Sequence, residues 1–446
     1  MQLKNHRSND KSIRNALTTA TCTLLSGGIS GQSLAADTAP AAPLEYDSAL
    51  LYYSETDRVT AIEPVLSIRQ TLNEDEFINY RIVVDSLTGS SASGAVPMPF
   101  SQTFTQPSGN KTYRTNANET PLDPSFKDTR VALNIDWEKP LSRTLKRNLG
   151  ANLSREYDYT SLGASASFSQ DINTRNTTLT GGISLSYDLV APVGGVPLGM
   201  TTMPDFAVGE KILEGNDDSK TVIDLLFGVT QVINRSTLMQ LNYTIGLSNG
   251  YLSDPYKILS IIEDDQLAAN YGEIINQNAN DGASYRYEAR PDSRAGQSLY
   301  WKVVHQFEED VINTSYRYYW DDWGISSHTI DVRYRYEISG GHYLQPHFRY
   351  YTQNEADFYS PYLLDNNNAA AEVKEASSDY RLGKMTATTI GLLYGMPLGP
   401  TSELTFRSEV MTQSGDEPAK FGALENQTLF PDVDAVIVQI GYSVQF

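Results

Sequence analysis

From Asp434 to the C-terminus the chain alternates with a period of two. Val436, Val438, Ile440, Tyr442, Val444 and Phe446 fall on one face, and Gln439, Gly441, Ser443 and Gln445 on the other, with Ile437 the exception. Such a period marks a strand with one apolar and one wet face. The pattern recurs along the chain. Val131, Leu133, Ile135 and Trp137 interleave with Arg130, Asn134, Asp136 and Glu138, and Ile330, Val332, Tyr334 and Tyr336 interleave with Asp331, Arg333, Arg335 and Glu337. It predicts strands near 46–54, 58–71, 76–86, 127–138, 144–155, 159–170, 175–188, 220–233, 237–248, 297–308, 311–322, 327–337, 342–353, 380–394, 402–412 and 433–446, about 16 in all. Packed in a soluble sandwich, these strands would bury their charges, whereas a transmembrane antiparallel up-and-down β-barrel turns the same face to a wet lumen.

Loop lengths test the count independently. With the N-terminus in the periplasm, odd strands run outward and long extracellular loops follow them. The long connections 87–126, 189–219, 249–296, 354–379 and 413–432 all follow odd strands, while even strands end in short turns such as Asn73–Asp75, Pro140–Arg143 and Ser339–Gly341. Clustered aromatics at strand ends, as in Tyr318-Tyr319-Trp320 with Trp323, predict an aromatic girdle at the membrane interface, within a chain of 28 tyrosines.

Composition supplies an address. Lys4, Arg7, Lys11 and Arg14 precede a weakly apolar run around Ala16 to Ile29 and then Ser33-Leu34-Ala35, the order of a secretory signal peptide over residues 1–35. A short Ala/Pro linker, 36–44, leads to the barrel, 45–446. The one cysteine, Cys22, falls within the signal, so the mature chain has no thiol to mispair in an oxidising periplasm. Cleavage removes four basic residues and Asp10, taking the formal charge from −20 to about −23. So acidic a surface argues against a nucleic-acid partner. The expected surroundings are the outer membrane of a Gram-negative bacterium, with its lipid and lipopolysaccharide.

The C-terminal strand resembles the closing strand of bacterial outer-membrane barrels, which the barrel assembly machinery reads, with Tyr442 and Phe446 as the assembly signal. Further stretches resemble a proteobacterial outer-membrane barrel family catalogued only as a domain of unknown function. They are Pro121-Leu122-Asp123, Phe126 to Arg130, Leu247 to Lys257, Arg290 to Arg294, Tyr316 to Ile325, Ser327-His328-Thr329 and Leu344 to Tyr351. The resemblance implies a fold and a location, and the family has no settled activity to lend.

Alternation places Arg317, Asp331, Arg333, Arg335, Glu337, His347, Arg349, Glu403, Arg407 and Glu409 on the lumen. Opposed arginine and carboxylate walls would create a transverse field favouring small polar solutes. The same charges would equally serve to pair across neighbouring strands and hold a closed lumen together. Loop 87–126, rich in Gly, Ser, Pro and Thr, is a candidate plug. The acidic runs Glu214 to Asp218 and Glu263-Asp264-Asp265 match no defined calcium loop, and no metal-ligand spacing occurs. His305, His328, His342 and His347 sit in no recognisable catalytic arrangement, so no enzyme is expected. One motif carries other chemistry. Asp85-Ser86-Leu87-Thr88-Gly89-Ser90-Ser91 resembles the acceptor sequence of flavin transferases. The resemblance implies FMN esterified to Ser91 by a periplasmic FAD:protein FMN transferase reading Asp85, Thr88 and Gly89, although Ser90 departs from the usual Ala. The functional expectation is a porin-like channel or scaffold, with a flavinylated electron-transfer barrel as the alternative.

Overall fold

The computed structural model describes residues 44–446 apart from 107–110, 204–210, 263–283, 365–369 and 371. The predicted signal peptide, nearly all of the linker and Glu263-Asp264-Asp265 lie outside the described residues. The barrel strands are β1 (Leu44–Glu55), β2 (Val59–Asn73), β3 (Glu76–Ala92), β4 (Leu122–Pro140), β5 (Leu145–Arg155), β6 (Tyr159–Ile172), β7 (Thr177–Val190), β8 (Asp218–Asn234), β9 (Thr237–Gly250), β10 (Ser293–Gln306), β11 (Val311–Asp321), β12 (Ser326–Glu337), β13 (Tyr343–Gln353), β14 (Met385–Gly399), β15 (Ser402–Gly415) and β16 (Val433–Gln445). Each pairs antiparallel with its sequence neighbours, and β16 closes on β1 from Glu45 opposite Gln445 to Glu55 opposite Ala435. Every predicted strand has its counterpart, so the expected closed up-and-down barrel is the observed one.

The alternation explains the closure. Leu162, Phe227, Ile390 and Val410 belong to an apolar outer face that more than half exposes each of them. A continuous apolar band of this kind is stable only against lipid, each Å² removed from water contributing roughly 25 cal/mol. At the seam the Phe446 ring meets the Tyr46 ring edge-on at 5.7 Å, and the Phe446 amide donates to the Leu44 carbonyl at 2.9 Å. Ile437, the exception in the last strand, faces inward and packs with Tyr53, Ala61 and Met411 on a small apolar patch of the lumen wall.

Several strand edges differ from expectation, and two of them have a clear backbone cause. β3 runs past Ser86 to Ala92, with a bulge between Gly89 and Ser91. Gly89 permits this because it takes φ +128° where a Cβ would come within 2.1 Å of the Arg58 carbonyl oxygen. β14 begins at Met385, because Tyr380–Leu382 form a 3₁₀ turn capped by Asp379, whose carboxylate accepts from the Arg381 amide.

The core is not in the barrel. Phe104, Phe430, Met98, Leu259, Ile262, Leu424 and Val196, the largest fully buried apolar side chains, all lie in loops. The loops after β3, β9, β13 and β15 interlock. Val96 and Met98 pack on Ile262, Leu424 and Leu429; Phe104 packs on Tyr285; Leu259 packs on Leu363. A three-stranded sheet, Ile258–Ile262 with Ser284–Tyr287 and Tyr362–Leu364, joins two of these loops. Their parent strands are spread around the ring, so loops as distant as those after β3 and β9 meet across its mouth. The expected plug, loop 87–126, is corrected to one tier of this shared roof. Its hairpin Gln102–Thr105 with Thr112–Thr115 is held by partners from other loops, Gln102 donating to Tyr285 at 2.8 Å.

Candidate functional site

Beneath the roof the barrel encloses a cavity of about 3800 Å³, lined from the turn residues Glu74, Gly340 and Thr401 at one end to Phe104, Lys257 and Arg290 at the other. The functional candidate is this lumen with its roof.

The underside of the roof carries a balanced cluster of three acids, Asp254, Glu288 and Asp379, and three bases, Lys257, Arg290 and Arg381. Arg290 Nε donates to Glu288 at 2.7 Å and its terminal nitrogen to Asp379 at 3.0 Å. Arg381 reaches Asp379 at 2.6 Å and Asp254 at 3.4 Å. Ser377 Oγ donates to Glu288 and accepts from the Asp379 amide. Lys257 Nζ donates to the Ala92 carbonyl, tying the loop after β9 to the end of β3. Burial pushes the Asp379 carboxyl up, but Arg381, Arg290 and Lys257 overcome it and hold the carboxyl well below the usual range. Burial pulls the Lys257 ammonium down, partly opposed by Asp379 and Asp254.

A second clasp sits on the rim. Asp321 accepts from Arg294 at 2.8 Å, from Tyr319 at 2.8 Å and from the amides of Trp323 and Ile325, while Arg294 lies over the Trp323 ring at 4.4 Å. The stretches Leu247–Lys257, Arg290–Arg294 and Tyr316–Ile325 therefore converge on the outer rim. The aromatic girdle is half as expected. Tyr318 and Trp320 face outward and stack at 5.1 Å, but Trp323 is buried in the roof and Tyr319 lines the lumen, because neighbouring residues of a strand face opposite ways.

All ten predicted lumen residues line the cavity. His347 joins two of them, its Nε2 lying 3.0 Å from Asp331 and its Nδ1 2.9 Å from Glu409. The ring can donate to both carboxylates only as the imidazolium. The reach to Glu409 crosses a whole strand, β14, and Gly391 makes room, since a Cβ there would meet Glu409 Cγ at 2.5 Å. Lower down, Tyr343 donates to Glu403 at 2.7 Å over Gly395, Arg335 lies over the Tyr343 ring at 3.6 Å and pairs with Glu337 at 2.5 Å.

Charge around the lumen is segregated. Carboxylates outnumber cations on β1–β8, with Asp47, Asp85, Asp136 and Asp188 among them. Cations outnumber carboxylates on β10–β15, and β9 and β16 line the cavity with neither. Two uncharged seams thus divide an acidic half-wall from a basic one. Lys302 on β10 and the six roof residues extend the sequence-derived set; strand alternation marks Lys302, whereas meetings between distant loops leave no periodic signal.

Asp85 to Ser91 lies within β3 rather than beyond it. Asp85 is buried against Arg130, Thr88 is paired with Thr60 and Lys127, and Ser91 is paired with Asp123. In the folded barrel this is not the open segment a transferase needs, so attachment of FMN to Ser91 would have to precede strand pairing. The acidic run at Glu214 sits on the exposed loop after β7, and no cluster of His, Cys, Asp or Glu able to hold a metal occurs among the described residues.

Closed sheet, lipid-facing band and aqueous lumen define an outer-membrane-type β-barrel. The chain belongs to the family described as "Protein of unknown function (DUF3570)", whose model matches residues 14–444. No curated protein matches it. Among solved structures it is similar to the CymD monoaromatic hydrocarbon channel, at 8% identity and TM-score 0.40 over 91% of this chain and 88% of that one. It is also similar to OccK5 (OpdH) of Pseudomonas aeruginosa, at 9% identity and TM-score 0.40 over 91% and 98%. A third is a bacterial polysaccharide outer membrane secretin, at 7% identity and TM-score 0.42 over 92% and 100%. Nothing about cargo passes from these to the present chain.

Proposed function

We propose that the protein is a porin-like channel of the Gram-negative outer membrane, acting by passage and without turnover. The observation that carries this reading is the polarised lumen: an acidic half-wall faces a basic one across a water-accessible cavity of about 3800 Å³. A transverse field of this kind aligns small dipolar solutes and disfavours apolar ones, which must give up water without gaining a partner. The roof sets access from outside, since its loops interlock through shared apolar clusters and one buried ion cluster. The same roof favours a second reading, a docking scaffold, because a folded surface of four interlocked loops is more than a bare pore requires. Planar-bilayer recording of the purified full-length barrel separates the two. Stepwise conductance supports passage; a heat-modifiable, folded barrel that never conducts refutes it and leaves the scaffold.

A further inference from the structure

Four neighbouring strands place Lys302, Ser315, Asp331 and Arg349 side by side in one lumenal row, through the pairings Lys302 with Ser315, Ser315 with Asp331, and Asp331 with Arg349. One strand-step higher, Arg317 stands opposite both Tyr300 and Thr329, its guanidinium 5.5 Å from the Tyr300 ring. One step lower is Arg333, opposite His347. Asp331 is the one carboxylate in this patch, and it is heavily shared. His347 holds it at 3.0 Å, Arg333 approaches at 3.4 Å, Arg349 only at 3.8 Å, and Lys302 feels it without an ion-pair contact. Charge-assisted hydrogen bonds close to about 2.8 Å, so Arg349 and Lys302 are not matched by it. Glu409, an acid two strands further on from His347, is occupied by His347 at 2.9 Å and Arg407 at 3.8 Å.

Lys302 and Arg349 therefore stand side by side with Ser315 and Asp331 on this wall, neither held by a close carboxylate. Resting on the channel reading, we infer that Lys302 and Arg349 form a binding site for a small organic carboxylate, with the Thr329 hydroxyl as an additional donor. Arginine offers the planar fork that matches a carboxylate and lysine a mobile point charge. The acidic half-wall opposite drives an anion toward the basic half-wall on which these two side chains stand. The ligand replaces Asp331 as the partner of Arg349 and Lys302, so binding breaks no close ion pair in the wall.

The test uses the folded full-length barrel in detergent, equilibrium dialysis with labelled succinate, and bilayer recording of the same preparation. Succinate is expected to bind saturably and to lose at least about tenfold in affinity in the double variant Lys302→Gln/Arg349→Gln. The charge-preserving Lys302→Arg/Arg349→Lys should retain binding within a few-fold, and putrescine, a dication of similar length, should not compete. Heat-modifiable mobility checks that each variant is folded. Absence of succinate binding, an unchanged affinity in the double glutamine variant, or competition by putrescine overturns the site. Conduction without succinate binding removes the site and keeps the channel; succinate binding without conduction removes the channel and keeps the site.

Discussion

Replacing Asp379 by Asn isolates the energy that holds the roof down. Asp379 is 2% exposed and accepts from Arg290 at 3.0 Å and from Arg381 at 2.6 Å and 2.8 Å. The variant turns a balanced cluster into one with a net buried positive charge, borne mainly by Arg290, since Arg381 is half-exposed. Removing one partner of a buried pair costs about 3–5 kcal/mol, and the amide oxygen of Asn restores about 1 through one retained hydrogen bond. The roof is thus destabilised by roughly 2–4 kcal/mol, and its open population rises by about 30- to 1000-fold at 1.4 kcal/mol per tenfold. Limited proteolysis of the folded barrel reads that population directly when reclosing outpaces cleavage. The expected result is a matching acceleration of cleavage in the loops after β9 and β13, with an unchanged heat-modifiable barrel band. Lys384→Ala, which removes an exposed pair with Asp416, serves as control and should change nothing measurable. Cleavage of Asp379→Asn within twofold of wild type would refute the argument that this cluster pins the roof.

Other perturbations follow from the same geometry. Roof stability should depend on pH in two opposed windows. The depressed Asp379 carboxyl contributes stability that is present above its unfolded value near pH 4 and is lost as pH falls below it, whereas Glu156, in the short loop after β5, is pushed up to about 7 by burial and by Asp128. The Glu156 loop should therefore be tightest below about pH 4 and loosen as pH rises toward 7, whereas amide exchange around Asp379 should stay flat over that range and rise only below about pH 4. Gly391→Ala should force Glu409 off its present path, separate it from His347 and cost about 1–3 kcal/mol, read as a lowered thermal midpoint of the heat-modifiable band. An unchanged midpoint would mean that the wall accommodates a Cβ at this position. Phe446→Asp, or deletion of Phe446, should lower the amount of heat-modifiable barrel in the membrane without altering any lumen residue; normal levels would count against its role in assembly.

The barrel was legible because its determinants are local and periodic. A period of two fixes which face each residue takes, and loop-length parity fixes the count, so Asp331, His347 and Arg407 could be placed on the lumen before any pairing was known. Two kinds of feature escaped. Strand ends governed by single backbone events, the bulge at Gly89 and the turn capped by Asp379, leave no mark on hydrophobic alternation. The roof escaped altogether, because contacts such as Gln427 with Asn118 or Lys257 with Ala92 join segments distant in sequence. Trp323 shows the ambiguity in one residue: an aromatic at a strand end belongs equally to a lipid-facing girdle or to a buried loop core, and only the partner Arg294 decides between them.

A roof whose core draws on four loops from around the ring has a consequence for the order of assembly. None of Met98, Ile262 and Leu424 has its partners until β3, β9 and β15 stand at their final separations, and the last of these strands is fixed only when β16 meets β1. The outermost layer is therefore the last to acquire its shape. A binder raised against the finished roof would recognise completed barrels and pass over stalled ones, so this face of the barrel carries a readable record of its closure.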